Sequence, residues 1–162
     1  MKFDYNLANI TRGFLIYATG DTVAAIMQNQ FSFGRMAGMM LVGASFYAFE
    51  IPNYFKWIDT KLEKEHTLKN ALLRTCMSLA YFNPLWVFRH LIFIKLFSGK
   101  ADEITFDLLR IAFISFTVNL PVSFSANYLI QNKVSSKRRF LVSAFFSAVM
   151  AVYFALAATF FK

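Results

Sequence analysis

An uncharged, mostly apolar run at 140–161 is the feature that most limits what this chain can fold into. It is 22 residues long, and a helix needs about 20 apolar residues to cross the hydrocarbon core of a bilayer. A second uncharged run covers 111–131, with Pro121 inside it. Membrane helices tolerate proline where neighbouring helices or hydroxyl groups satisfy the freed carbonyl. The two runs therefore predict helices that cross a membrane.

The composition extends this prediction to the whole chain of 162 residues. Hydrophobic residues make up 57% of the chain and charged residues 16%, and 21 residues are phenylalanine. A soluble domain of this length has too little interior to bury so much apolar surface. The composition therefore argues against a disordered chain, a disulfide-stapled secreted module, a collagen-like fibre and a soluble enzyme.

Three further apolar runs contain charged residues or proline. Together with the first two, they predict helices at about 7–30, 34–57, 74–97, 104–131 and 140–161. The sequence thus predicts an all-α fold, an integral membrane bundle of about five transmembrane helices that forms a single membrane domain over 1–162.

Lysine and arginine residues between the runs indicate an orientation. With five spans, ten of them lie on the side of the N-terminus and four on the other side. The positive-inside rule then predicts the N-terminus on the matrix side of the mitochondrial inner membrane, or on the cytoplasmic side of a bacterial plasma membrane. The N-terminal residues lack the pattern of a cleavable signal. Because the charge of +8 falls between the spans, we expect the lipid bilayer as partner and no nucleic acid.

Ionisable residues inside the runs are the candidate functional residues. A charge at mid-bilayer costs at least about 2.5 kcal/mol, so such residues should face the bundle interior and pair. With a rise of about 1.5 Å per residue, Asp21 and Arg89 lie at similar depths, as do Arg12 and Glu50. His90 follows Arg89 and titrates near neutral pH in its unperturbed state. Two interpretations stay open: these residues lock the bundle together, or they line a polar path.

Small residues at four-residue spacing predict where helices approach closely. They are Gly34 and Gly38 in the second helix, and Ser143, Ser147, Ala151 and Ala155 in the last. They indicate either close packing within one bundle or the seam of a homo-oligomer.

Catalytic and metal-binding patterns are weak. Cys76 is the single cysteine, and no cluster of histidine and carboxylate residues has the spacing of a metal site. We therefore expect no catalytic residues, no metal and no cofactor. A membrane enzyme centred on Cys76 or His90 is a weaker alternative.

Four stretches carry a family resemblance: Gly20-Asp21 in the first helix, 35–37 at the start of the second, 54–59 at its end, and Pro121 followed by Asn127 and Tyr128. They resemble segments of the Mpv/peroxisomal-membrane-protein family, small multi-helix proteins of mitochondrial inner and peroxisomal membranes. Ala25 stands where that family usually has a glutamine.

The resemblance implies a small-solute channel or a factor in membrane permeability and homeostasis. Asp21, Arg89 and Asn127 would then line or gate a polar path, with support from Glu50, Arg12 and His90. The alternative is a structural accessory subunit of a larger membrane complex, for example a respiratory one, with exposed aromatic side chains as its contact faces.

Overall fold

The computed structural model describes residues 3–62 and 67–160, and for 155–160 it describes the backbone alone. Within these ranges the α-helices are α1 (Leu7–Met27), α2 (Phe33–Val42), α3 (Ala48–Lys61), α4 (Leu68–Tyr81), α5 (Pro84–Phe97), α6 (Phe106–Lys133) and α7 (Ser136–Phe160). A π-helical segment, Gly43–Tyr47, joins α2 to α3, and a short 3-10 helix, Ala101–Glu103, precedes α6. No β-strand occurs in the described ranges, and the predicted all-α fold is confirmed.

Short polar side chains begin several helices, because the first backbone N–H groups of a helix lack partners within it. The side chains of Asn6, Ser32 and Thr67 each accept a hydrogen bond from a backbone N–H in the first turn of α1, α2 and α4. After the C-terminal end of α5, Gly99 adopts a φ of 71°, a conformation that favours glycine and ends the helix. These local signals set the lengths of the helices.

The segment predicted as one helix at 74–97 is two helices of 14 residues each, so this prediction is wrong. The first helix also begins earlier, at Leu68. The break follows from Asn83 and Pro84. Asn83 Oδ1 accepts hydrogen bonds from the N–H groups of Leu85 and Trp86, at 2.8 and 3.1 Å. Pro84 has no N–H and suits the first turn of a helix, so α5 starts anew there.

The described part of the bundle has five rods, each a single helix or two helices in line, and two of them contain an interruption of regular α-helix. In the first, the π-helical segment lies between α2 and α3 and the helix stays continuous; in the second, residues 82–83 separate α4 from α5. Because α3 contacts α4 while α2 contacts α5, the two rods run antiparallel with their interruptions at similar levels. The other rods are α1, α6 and α7, which correspond to the predictions at 7–30, 104–131 and 140–161 except that residue 161 lies outside the described part.

Small residues let α1 approach its neighbours closely. A Cβ atom on Gly13 would overlap the carbonyl oxygen of Gly43, and one on Gly43 would overlap that of Gly13. A Cβ atom on Gly20 would lie 2.7 Å from the Cα of Ala148 in α7. Backbone thus meets backbone where α1 crosses the π-helical segment and α7.

The residues predicted for helix packing lie at contacts with α5 or are buried in α7. Gly38 faces the ring of Phe97, and a Cβ atom on Gly34 would lie 3.2 Å from the Phe97 carbonyl oxygen, so both face α5. Ser143, Ser147 and Ala151 are buried in α7. The side chain of Ala155 lies outside the described residues.

The joint between α5 and α6 carries a charged cluster. Lys95 donates a hydrogen bond to Glu103, and Lys100 Nζ lies 3.5 Å from the same carboxylate. The hydrogen bond from Lys95 lowers the pKa of the Glu103 carboxyl. The stabilisation from this pair is therefore present above the usual glutamate pKa and is lost as the pH falls through the lowered value.

By length and composition, α6 is the one helix among the described residues that is apolar enough to cross a membrane. Core helices of soluble proteins pass the same test. The five-span membrane bundle stays a prediction.

Candidate functional site at the interrupted helices

Asp21 pairs with Arg35, so its predicted pairing with Arg89 is wrong. Arg35 Nε donates to Asp21 Oδ2 at 2.8 Å, and a second guanidinium nitrogen donates to Oδ1 at 2.6 Å. The side chains are 0% and 2% exposed, respectively. The short joint between α1 and α2 reverses the chain, with Asn29 at a φ of 55°, and brings Arg35 back alongside Asp21. This two-bond pair ties α1 to α2.

Glu50 pairs with Arg89, so its predicted pairing with Arg12 is also wrong. Two guanidinium nitrogens of Arg89 donate to the Glu50 carboxylate at 3.0 and 2.6 Å. The hydroxyl of Tyr81, the last residue of α4, donates to the same carboxylate at 2.7 Å. Arg12 instead lies 3.5 Å from Asn9 Oδ1, one turn away on α1. Glu50 thus holds α3, α4 and α5 together at the interruption of the second rod.

His90 follows Arg89 on α5 and is buried beside the Glu50–Arg89 pair, with 2% of its surface exposed. Its Nδ1 lies 3.0 Å from the hydroxyl of Tyr47, at the end of the π-helical segment. The Trp86 ring stacks on the His90 ring with a centroid distance of 5.5 Å, and the Arg89 guanidinium lies 5.8 Å from the centroid of the Tyr47 ring. His90 Nε2 and Trp86 Nε1 are buried without partners among the described residues. We call Tyr47, Glu50, Tyr81, Trp86, Arg89 and His90 the central cluster.

A stripe of polar residues on α6 continues from this region. Its members repeat every four residues and are buried: Ser115, Asn119, Ser123, Asn127 and Gln131. Asn127 Oδ1 accepts a hydrogen bond of 2.6 Å from Ser78 in α4. The stripe therefore turns polar groups toward the inside of the bundle and bonds α6 to α4.

A cavity of about 30 Å³ adjoins both the stripe and the central cluster. Ser123 and Asn127 of α6, Trp86 of α5, and Ser147 of α7 contribute to its lining. Such a volume is enough for a water molecule. The remaining lining residues are apolar: Phe82, Val87, Phe116, Phe146, Met150 and Phe154. The cavity therefore lies between the stripe and Trp86 of the central cluster, and its wall is mostly apolar.

The other candidates do not join this site. Cys76 is exposed on α4. In residues 3–62 and 67–160, no group of three or more histidine, cysteine, aspartate and glutamate side chains is arranged to hold a metal ion.

Sequence reasoning missed Arg35, Tyr81 and Ser78 as partners of the predicted residues. Arg35 stands at the start of the predicted helix at 34–57 and counts among the four charges of the outer side in the orientation analysis, although it lies only 14 residues after Asp21 across a short connection. Tyr81 and Ser78 are uncharged, so the comparison of charged residues by their depth in the bilayer did not include them. The four-residue spacing of polar residues on α6 is visible in the sequence and indicates one common face.

Comparisons with protein-family models, with curated proteins and with solved structures found no match. The resemblance to the Mpv/peroxisomal-membrane-protein family stays a prediction.

Proposed function

We propose that this chain is an integral membrane protein whose five rods cross the bilayer, with the N-terminus on the matrix or cytoplasmic side. The support comes from the two faces of α6. Its buried face carries the polar stripe, whereas most of the exposed side chains over 113–129 are large and apolar: Phe113, Val118, Leu120, Val122 and Leu129. The exposed Thr117 and Ser125 donate their hydroxyls to backbone carbonyl oxygens one turn back on the same helix. A helix on the surface of a soluble protein has the opposite arrangement. Lipid chains accept an apolar outer face and leave polar groups to bond within the bundle.

We further propose that the bundle controls the passage of a small solute, as the resemblance to the Mpv family implies. The observation that carries this proposal is that the π-helical segment of one rod and the break at 82–83 of the other meet at the central cluster. A broken helix at membrane depth is tolerated where protein or a water-filled cavity surrounds the freed backbone groups, and π-helical turns are frequent at functional sites. In transporters, such helices typically form the solute site near the midplane.

We assign the solute route to the 30 Å³ cavity and to Asn127, which bonds to Ser78 across α4 and α6. In this conformation the route is closed, because the cavity holds little more than water. The Asp21–Arg35 pair, fully buried and bonded twice, serves as a lock between α1 and α2 rather than as a wall of the route.

Efflux of entrapped solutes from liposomes that carry the purified protein tests this function. We expect the wild type to release small polar solutes. Asn127→Ala, which removes the bond to Ser78 and widens the cavity, should raise the rate. Asn127→Leu, which keeps the volume but removes the polar group, should lower it about tenfold, because an apolar constriction resists wetting.

The matched control is Leu129→Ala on the exposed side of the same helix, for which we expect the wild-type rate. Each variant is first checked for an unchanged elution profile and helical content. If the wild type releases no solute, or if both Asn127 variants release solute at the wild-type rate, the solute route is wrong. The accessory-subunit alternative would then be tested by co-purification in mild detergent.

A further inference from the structure

The Glu50–Arg89 pair reaches from the central cluster to the outer surface of the bundle. The Arg89 side chain is 35% exposed and the Glu50 side chain 28%, whereas both side chains of the Asp21–Arg35 pair are buried. The two pairs are otherwise alike, because each joins two neighbouring rods by two hydrogen bonds between a guanidinium and a carboxylate. The bundle therefore buries one ion pair and leaves the other partly open.

Both residues of the open pair lie far from the ends of their rods. With a rise of about 1.5 Å per residue, Glu50 lies about 16 Å from the end of α3 at Lys61, and Arg89 about 12 Å from the end of α5 at Phe97. In the proposed membrane placement, the exposed part of the pair is then inside the hydrocarbon core. Charged side chains at that depth almost always face protein or water rather than lipid. The open pair therefore needs a cover.

Aromatic rings border the open pair on both sides along the rods. Toward α2, Phe46 stacks on Phe93 with a centroid distance of 5.7 Å. Toward the end of α3, Tyr54 packs on Tyr81 at 4.9 Å and on Trp57 at 5.3 Å. Water that follows this face from either end of the bundle has to pass these rings. The face thus has a charged centre and an aromatic border, which a protein partner can cover and seal.

The open pair is complementary to a second copy of itself. It presents a negative and a positive charge side by side on two neighbouring rods. In a symmetric dimer whose copies have the same orientation in the bilayer, the two-fold axis runs along the membrane normal and preserves depth. Across that axis, α3 of one copy faces α5 of the second copy. Glu50 of each copy then lies opposite Arg89 of the other, and the four charges alternate in sign.

We propose that a second copy of this chain docks on this face, with the two Glu50–Arg89 pairs at the centre of a two-fold interface. The guanidinium of Arg89 has five N–H donors, and its bonds to Glu50 use two of them. Donors are therefore left for the carboxylate of the second copy. The dimer depends on the proposed membrane placement but not on the solute route.

Chemical cross-linking in membranes tests whether this face meets a second copy. Leu85 is 64% exposed on α5, one turn before Arg89 and on the same side of the helix. In a Cys76→Ser background, Leu85→Cys should give a cross-linked dimer with a thiol-reactive cross-linker that has a short spacer. Val122→Cys, 57% exposed on α6, is the matched control. It should give about tenfold less dimer, because the proposal places it against lipid.

An exchange of the two charges separates contacts between copies from the bond within one copy. The double variant Glu50→Arg with Arg89→Glu keeps an ion pair within each chain, and two variant copies match each other as two wild-type copies do. A wild-type copy that faces a variant copy meets like charges instead. When the two are co-expressed with different tags, we expect about tenfold fewer mixed dimers than random association gives.

The matched exchange is Lys95→Glu with Glu103→Lys, at an ion pair outside this face. It should leave mixed dimers at the random level. The proposal is overturned if Leu85→Cys stays monomeric or links only to a protein of another mass, or if the exchange at Glu50 and Arg89 also leaves mixed dimers at the random level. If that variant does not fold, the cross-linking comparison decides alone. Resistance of the same samples to alkaline extraction shows whether the membrane placement, rather than the dimer, has failed.

Discussion

Asp21 shows why a residue can be identified from the sequence while its partner is not. A carboxylate within an apolar run needs an opposite charge when it is buried, and Asp21 has one. Matching of depths favoured Arg89, but depth says nothing of the direction in which a side chain points around its helix. The hairpin between α1 and α2 supplies Arg35 from the next helix, and Arg89 is then left to bind Glu50.

We predict that Arg35→Gln destabilises the fold by about 3 to 5 kcal/mol, because it leaves the Asp21 carboxylate buried without a charge partner. The double variant Asp21→Asn with Arg35→Gln should recover much of this loss, since it removes both charges. Thermal unfolding in detergent provides the comparison. Lys95→Gln, which breaks the ion pair with the exposed Glu103, should lower stability far less than Arg35→Gln. Equal losses in the single and double variants would contradict the buried pair.

At the scale of elements, the break between α4 and α5 follows from its local sequence. Its position opposite the π-helical segment does not. Asn83 followed by Pro84 is a helix-start signal that the sequence already contains. Nothing local indicates that the π-helical segment lies opposite this break, because that depends on the antiparallel packing of the two rods. Gly13 and Gly43 show the same limit: each is an ordinary helix glycine until α1 crosses the π-helical segment.

We predict that Gly13→Ala and Gly43→Ala each destabilise the fold by about 3 kcal/mol or more, since the added methyl group meets a backbone oxygen that cannot move aside. Gly34→Ala is the matched substitution at a looser contact, 3.2 Å from a carbonyl oxygen, and should change stability by about 1 kcal/mol or less. Thermal unfolding of the three variants would test this order. Similar losses at all three glycines would argue against the close crossing.

For the whole molecule, the distribution of polar and apolar side chains on α6 supports a bilayer more directly than composition does. Val122 is 57% exposed, while Ser123 next to it is 8% exposed. This contrast favours an apolar surrounding outside the bundle and hydrogen-bonding groups inside it.

We predict that Val122→Lys, near the centre of α6, impairs membrane integration at a cost of about 2.5 to 3.5 kcal/mol. Leu68→Lys introduces the same charge on a residue that is also well exposed, at 69%, but at the start of α4, where we expect no loss. Resistance of the expressed protein to alkaline extraction measures integration. If both variants behave alike, the exposed face of α6 does not contact lipid.

The sequence by itself determined the helical class and the approximate course of four of the five rods, because apolar runs and capping residues act over a few neighbouring residues. It also identified Asp21, Glu50, Arg89 and His90 as residues that need partners. Only the tertiary structure decided the partners of these residues and the meeting of the π-helical segment with the break at 82–83. These depend on the rotation and crossing of each helix, which arise from contacts between residues far apart in the chain.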